Sequence, residues 1–416
     1  MLNHPLRSLL LVSCLFLPAA ALGQAAAPVP PEPVGDTIDE LLAAQPPVMP
    51  APMTPPGAIP PAGEVLPPTQ ALPPAEVPPT LPPPTAQPVA PPTLAPPPSG
   101  APPTAGAVEA PPLSEIVSVN PADVIAVEYT GGPLPDGFSV LTLKLQILLD
   151  QAGMSPGIID GMNGRNVAKA LAGVETLIGL PVDGILDAEI WQRLPRDTPV
   201  LVEYEISPDD VDGPFVPSMP SDYSEMAKLD ALSYSGPVEM FGERFHMDVD
   251  LLAKLNPGVD FNVAGTRIVV AGASGFVVKT PVASIIADKE NAQIRGYDAE
   301  GKLVVAYPAT IGSDDLPSPS GTHAVNGIAR KAAYYYNPKL NFKQGDNTGK
   351  LKLPPGPNNP IGTTWIDLTE PTYGIHGTPE PSRIDKTRSH GCIRLTNWDV
   401  EELAALVEKG VPVEFR

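Results

Sequence analysis

Cysteine is almost absent from the chain, with only Cys14 and Cys392 in 416 residues. Aromatic residues make up 5% of the whole, and there are five histidines. Basic residues are also few, 26 Lys and Arg against 47 Asp and Glu, which leaves a net charge of −21. So acidic a chain repels phosphate, which excludes nucleic acid and anionic membrane surfaces as natural partners. The apolar run Leu9 to Leu17 is too short to anchor a mature chain across a bilayer.

Proline is abundant instead. Most of the 59 prolines lie in the first quarter, between short apolar and small residues. Proline fixes φ and donates no hydrogen bond, so 24–113 reads as a disordered, Pro-rich polyproline II linker rather than a domain. At about 3.1 Å per residue its full reach is roughly 250 Å. Ahead of it, 1–23 has the parts of a secretory signal. His4 and Arg7 form a weakly basic start, Leu9 to Leu17 the apolar centre, and Ala21-Leu22-Gly23 a cleavage site. Cleavage there removes Cys14 and leaves Cys392 as the only cysteine of the mature chain. Leu11-Val12-Ser13-Cys14 also fits a lipoprotein box, which would make a lipidated Cys14 the first mature residue. Either way the chain is exported, to the periplasm, where a lone thiol stands out.

From 118 to 195 the pattern is helical. Val140 to Leu149 predicts a helix stopped near Gly153, and two Asp-Gly turns, Asp160-Gly161 and Asp183-Gly184, lead into further helices. One runs over Arg165 to Ile178, and the other is capped by Asp187 and carries Trp191. This repeat resembles the three-helix peptidoglycan-binding domain; a helical bundle without a ligand is the alternative. From 199 to 272 come a strand near Val200 to Ile206, two short helices and a closing strand near Thr266 to Val270. The string from Glu243 to Val270 resembles the lysin motif, an α+β glycan-binding unit, here interrupted by an insertion between Asp209 and Asp230. His246, among apolar neighbours, reads as a satisfied core histidine.

From 275 to 416 the period changes to two, which predicts a mostly-β domain. Tyr334 to Leu353 reads as a mobile loop, Asn397 to Glu408 as an amphipathic helix and Val411 to Phe415 as an edge strand. The domain also holds the densest chemistry of the chain, Ile375-His376-Gly377-Thr378 and Ser389-His390-Gly391-Cys392-Ile393-Arg394-Leu395. A thiol needs a nearby base to become a nucleophile near neutral pH, and His376 and His390 are the candidates. Amides around Gly391 and Cys392 can hold an oxyanion. Arg394, with Arg383 and Arg388, suits a carboxylate. His376, His390 and Cys392 are also a conceivable set of zinc ligands, a reading that iodoacetamide and a chelator would separate.

Together with Pro317-Ser318-Pro319-Ser320-Gly321, these motifs resemble the L,D-transpeptidase catalytic domain of bacterial cell-wall enzymes. The resemblance implies a β-sandwich-like fold with a helix, Cys392 as nucleophile and His376 as general base and acid. It further implies that the Gly377 carbonyl orients His376, that His390, Ser389 and Gly391 shape the oxyanion site, and that Arg394, with Ser389, binds substrate. No metal or organic cofactor is expected. The implied substrates are peptidoglycan stem peptides and glycan, cross-linked 3→3 through a thioester. The acceptor stays open between another stem, an outer-membrane protein, a D-amino acid and water. The remaining alternative is a non-catalytic peptidoglycan-binding scaffold.

Overall fold

The structure, a computed structural model, describes residues 118–196, 198–273, 278–312, 318–339, 342–386 and 391–416. The predicted signal, the lipoprotein box and the Pro-rich linker lie outside the described residues.

The helical region begins with α1 (Pro121–Ala126), followed by α2 (Val140–Gln151), α3 (Arg165–Ile178) and α4 (Ala188–Arg193). The two Asp-Gly turns are built alike. Gly161 and Gly184 both take positive φ, 73° and 69°, and Asp160 and Asp183 each accept from the amide two residues on at 2.8 Å. The preceding helix grips each turn through one side chain. Gln146 accepts from the Asp160 and Gly161 amides, and Glu175 from those of Asp183 and Gly184. Helix α2 is buried on two faces because it serves two cores. Leu145, Leu148 and Leu149 pack with α3 and α4, whereas Leu143 and Ile147 join the core of the region that follows.

That region is a strand–helix–helix–strand unit. β1 (Leu201–Glu205) pairs antiparallel with β2 (Arg267–Ala271), with α7 (Pro237–Arg244) and α8 (Val249–Leu255) between them. The insertion adds two short helices, α5 (Pro208–Asp212) and α6 (Tyr223–Met226). Asn256 ties the unit together, its amide group donating to Leu252 and Val269 carbonyls and its oxygen accepting from Val269.

The last region carries β3 (Ser284–Asp288), β4 (Gln293–Tyr297), β5 (Leu303–Pro308), β6 (Thr310–Ile311), β7 (Gly321–Arg330), β8 (Tyr334–Tyr336), β9 (Leu351–Leu353), β10 (Thr364–Leu368), β11 (Gly374–His376), β12 (Ile393–Arg394), α9 (Asn397–Leu406) and β13 (Pro412–Phe415). Among the described residues one sheet of nine strands runs β5-β4-β3-β13-β7-β10-β11-β12-β6. Its two end strands, β5 and β6, are separated in sequence only by Ala309, so the sheet curls round until its ends belong to one run of chain. Ile285, Ile294, Val305, Ile366, Ile375, Ile393 and Val413 fill the inside, closed by Val400 and Leu403 of α9.

Two expectations are corrected here. β13 is not an edge strand: it lies between β3, to which it is parallel, and β7, to which it is antiparallel. Tyr334 to Leu353, read as a mobile loop, is not loop throughout: its ends pair as β8 and β9. Leu232, just past the insertion, joins Tyr336 and Leu353 in a small buried core with Tyr223, Met226 and Leu229 packed on it.

The regions are docked on one another. The Ser155 amide donates to Ala306 of β5 at 2.9 Å, and the Ala306 amide to Gly153 at 3.0 Å. Gly173 of α3 sits where a methyl would meet Met154 Sδ at 2.7 Å. His246 is satisfied as expected, but at this junction. Its Nδ1 is 3.1 Å from Asp150, and its ring stacks on Trp398 of α9 at 5.1 Å. Burial opposes its charge, and Asp150, Asp399 and Glu402 outweigh burial and raise its pKa.

Candidate active site

The site grows out of a parallel pair of strands. β11 and β12 align Ile375 with Ile393 and His376 with Arg394. Both isoleucines point into the core, so the alternation of a strand sends His376 and Arg394 to the opposite face. Cys392 lies immediately before β12, two residues from Arg394, whose charge acts on its thiol. The register continues on both sides, and Ala329, Trp365, His376, Arg394 and Thr310 form one row across five strands.

His376 is held in a single tautomer. Its Nδ1 lies 2.7 Å from the Gly377 carbonyl, and a carbonyl only accepts, so Nδ1 carries the proton and Nε2 keeps its lone pair. Trp365, opposite it on β10, stacks on the imidazole at 5.6 Å and 18°. Burial first, and then the Arg394 charge, pull its pKa down to about 3 against the Gly377 hydrogen bond. The imidazole is therefore neutral at physiological pH and able to take a proton.

Cys392 is partly exposed. Its Sγ lies 3.7 Å from the Thr372 carbonyl, and burial raises the thiol pKa against the Gly374 amide and Arg394, which lower it. Burial thus favours the neutral form of the thiol and of the imidazole alike. Gly391 reaches Cys392 through φ 109°. A Cβ there would meet Tyr373 at 2.8 Å, so glycine is required on both counts. Ser318, from the proline-serine motif, donates to the Gly391 carbonyl at 2.6 Å and fixes the entry to the cysteine.

Arg394 is largely enclosed, and its buried Nε has no hydrogen-bond partner. An orphaned buried cationic donor is costly, and Glu380 is the carboxylate whose charge acts most on the residue. Arg383 does not form a bare basic patch with it: it donates to both oxygens of Glu380, at 2.8 and 3.0 Å. Ser389, His390 and Arg388 lie outside the described residues, as does Pro317.

Reading the sequence alone overlooked Trp365 and Asn397, and had Ser318 only as part of the proline-serine motif. Trp365 had a signal, since an aromatic on the open face of a strand alternating with buried Thr364, Ile366 and Leu368 has something to cover. Asn397, first residue of α9, accepts from the Thr363 amide at 3.1 Å and donates to Pro357 at 3.2 Å. A Cβ on Gly377 would overlap its Oδ1. It also donates at 2.8 Å to Glu243 of α7, a contact between regions that no local pattern announces.

Residues 283–415 match the family described as L,D-transpeptidase catalytic domain, and 141–194 match the "putative peptidoglycan binding domain". The chain is 29% identical over 183 residues to the "putative L,D-transpeptidase YkuD" of Bacillus licheniformis, covering 43% of this chain and 92% of that one. It is 32% identical over 130 residues to a "putative L,D-transpeptidase" in the ATP synthase subunits region of Fuscovulum blasticum, covering 31% of this chain and 67% of that one. Among solved structures, an L,D-transpeptidase from Xylanimonas cellulosilytica aligns at 14% identity with a TM-score of 0.31, over 70% of this chain and 100% of that one.

Proposed function

We propose a reaction for this chain, which belongs to the L,D-transpeptidase family: a cysteine acyl transfer on peptidoglycan stem peptides. The observation that carries it is the pairing of His376 with Arg394 on adjacent strands, with Cys392 two residues from Arg394 and under its charge, and with His376 held neutral by burial and bonded to Gly377. Cys392 Sγ attacks the carbonyl of the third residue of a tetrapeptide stem while its proton passes to His376 Nε2. Amides at Gly391 and Cys392, with Ser389 and His390, hold the oxyanion. The C–N bond then breaks, the imidazolium returns its proton to the departing D-alanine amine, and a thioester remains. Arg394 takes the terminal carboxylate of the donor, which satisfies its buried Nε.

An amine then attacks the thioester. A second stem gives a 3→3 cross-link; an amine of an outer-membrane protein gives an anchored protein. The match at 141–194 supports peptidoglycan as the polymer on which the enzyme works, and the 199–272 unit is proposed to hold glycan. Export through residues 1–23 and reach through 24–113 complete the reading, with action at the periplasmic wall.

Replacing Cys392 by alanine and incubating the full chain with a tetrapeptide tests it by intact mass. The wild type is expected to form a thioester adduct with loss of D-alanine and the variant none. Activity that survives the substitution, or survives iodoacetamide but not a chelator, would overturn the cysteine mechanism. Muropeptide analysis of a deletion strain, for 3→3 dimers and protein-linked stems, reads the acceptor.

A further inference from the structure

The stretch that leads from His376 on β11 towards Cys392 is described from Gly377 to Lys386, and it is pinned where the helical region reaches it. Thr378 and Ile384 are buried, a short helical turn spans Pro381–Arg383, and Asp385 takes left-handed backbone at φ 62°. A residue with a side chain holds that conformation at a cost, so its surroundings must fix it. Three contacts do so. The Asp385 amide donates to Thr310 Oγ1 at 3.0 Å, and Thr310 ends the row that carries His376 and Arg394. The Asp385 carboxylate meets Arg165 Nη2 and Lys169 Nζ of α3, each at 2.9 Å and each on its own oxygen.

Arg165 and Lys169 are four residues apart on α3, so they share a face and repel until an anion stands between them. The two bonds to Asp385 are not equal. The Arg165 side chain is 72% exposed, where an ion pair contributes little. The side chains of Lys169 and Asp385 are 12% and 7% exposed, and so buried a pair cannot lose one partner without stranding the charge of the other. Lys169 is also held from behind. Its Nζ donates to the Ala292 carbonyl at 3.1 Å, and its own carbonyl accepts from Gln293 Nε2 of β4 at 3.4 Å. Its place against the catalytic sheet is therefore fixed, and through it so is that of Asp385.

We propose that Lys169 of the 141–194 region is a positioning residue for the reaction: its buried pair with Asp385 seats the stretch between His376 and Cys392 against the end of the row that carries His376 and Arg394. The proposal rests on the acyl-transfer reading above and adds a residue that touches no substrate. It makes the helical region part of the framework of the active site rather than an appendage beside it. Base and nucleophile flank this stretch, so slack in it shifts one against the other. Rate falls steeply with such a shift, while binding of the stem is spared.

The experiment uses the full chain with Lys169→Met, Asp385→Asn and the two combined, each assayed on the tetrapeptide well below its melting temperature. Methionine keeps most of the length of lysine and loses the charge. Asparagine keeps the shape of Asp385, its amide bond to Thr310 and a tolerance for left-handed backbone. Each single variant is expected to lower kcat about tenfold with KM within about twofold. Because the two residues act as one pair, the combined variant should lose no more than the worse single one. A wild-type kcat in either single variant, whatever its melting temperature, would reduce the pair to a structural bond and overturn the proposal. So would losses that multiply in the combined variant, or a raised KM with kcat unchanged. If Lys169→Met does not fold, Asp385→Asn carries the kcat and KM test by itself. Absence of any thioester in the wild type would instead sink the acyl-transfer reading, and the positioning role with it.

Discussion

Glu243 offers a perturbation whose size can be worked out in advance. It sits on α7 at the contact between the strand–helix–helix–strand unit and the catalytic domain, 8% exposed, and accepts from Asn397 at 2.8 Å. Burial, reinforced by Glu239 and Glu401, pushes its pKa from 4.5 up to about 8 against the Asn397 hydrogen bond. A carboxyl raised in the folded state contributes its stability in full below pH 4.5, where both states are protonated. That contribution is lost as pH climbs through the folded value near 8. At 1.36 kcal/mol per unit the loss is about 3 kcal/mol by pH 7 and about 5 kcal/mol above pH 8. Glutamine has the shape of the protonated acid, still accepts from Asn397, and does not ionise. Glu243→Gln should therefore match the wild type at pH 4.5 and exceed it by about 3 kcal/mol at pH 7, roughly 6–12 °C in the melt. The gap should widen further at pH 9. Asp399, also pushed up to about 8 by burial and by Asp150, titrates in both proteins and cancels from the difference. Thermal melts of the two full chains at the three pH values measure it. A constant difference across pH, or a variant that is less stable at pH 9, would refute the reasoning.

Two further outcomes follow from the site. Because burial raises the Cys392 thiol and keeps His376 neutral, the rate of alkylation by iodoacetamide should climb steadily from pH 6 to pH 9. A plateau below pH 7 would mean a resting thiolate–imidazolium pair instead. Gly374→Ala would drive a methyl into the Trp365 ring, forcing it off the imidazole it stacks on. A stability loss of about 1–3 kcal/mol, with a larger drop in kcat than in stability-matched variants, is expected from denaturation and turnover measurements.

Much of this was legible in the residues because it is local. Helix α3 is where its periodicity puts it, closed by Gly179 at φ 76°, and Asp187 caps α4 through the Ile190 amide. The chemistry was legible for the same reason: Ser389 to Leu395 and Ile375 to Thr378 are short contiguous runs that carry the thiol, the histidines and Arg394. What stayed hidden depends on partners distant in sequence. β13 has four residues and gives no sign of lying between two strands. β8 and β9 have three each, joined through a long polar stretch, and pair because Leu232, more than a hundred residues earlier, packs on them.

The curl of the sheet has a mechanical side. Arg394 is aligned with Thr310 on β6, and Ala306 on β5 exchanges backbone bonds with Gly153 and Ser155 of the peptidoglycan-binding region. Only Tyr307, Pro308 and Ala309 separate those two attachment points along the chain. A load taken up by the helices of the 141–194 region thus reaches the strand beside Arg394 along taut backbone, with no slack loop to absorb it.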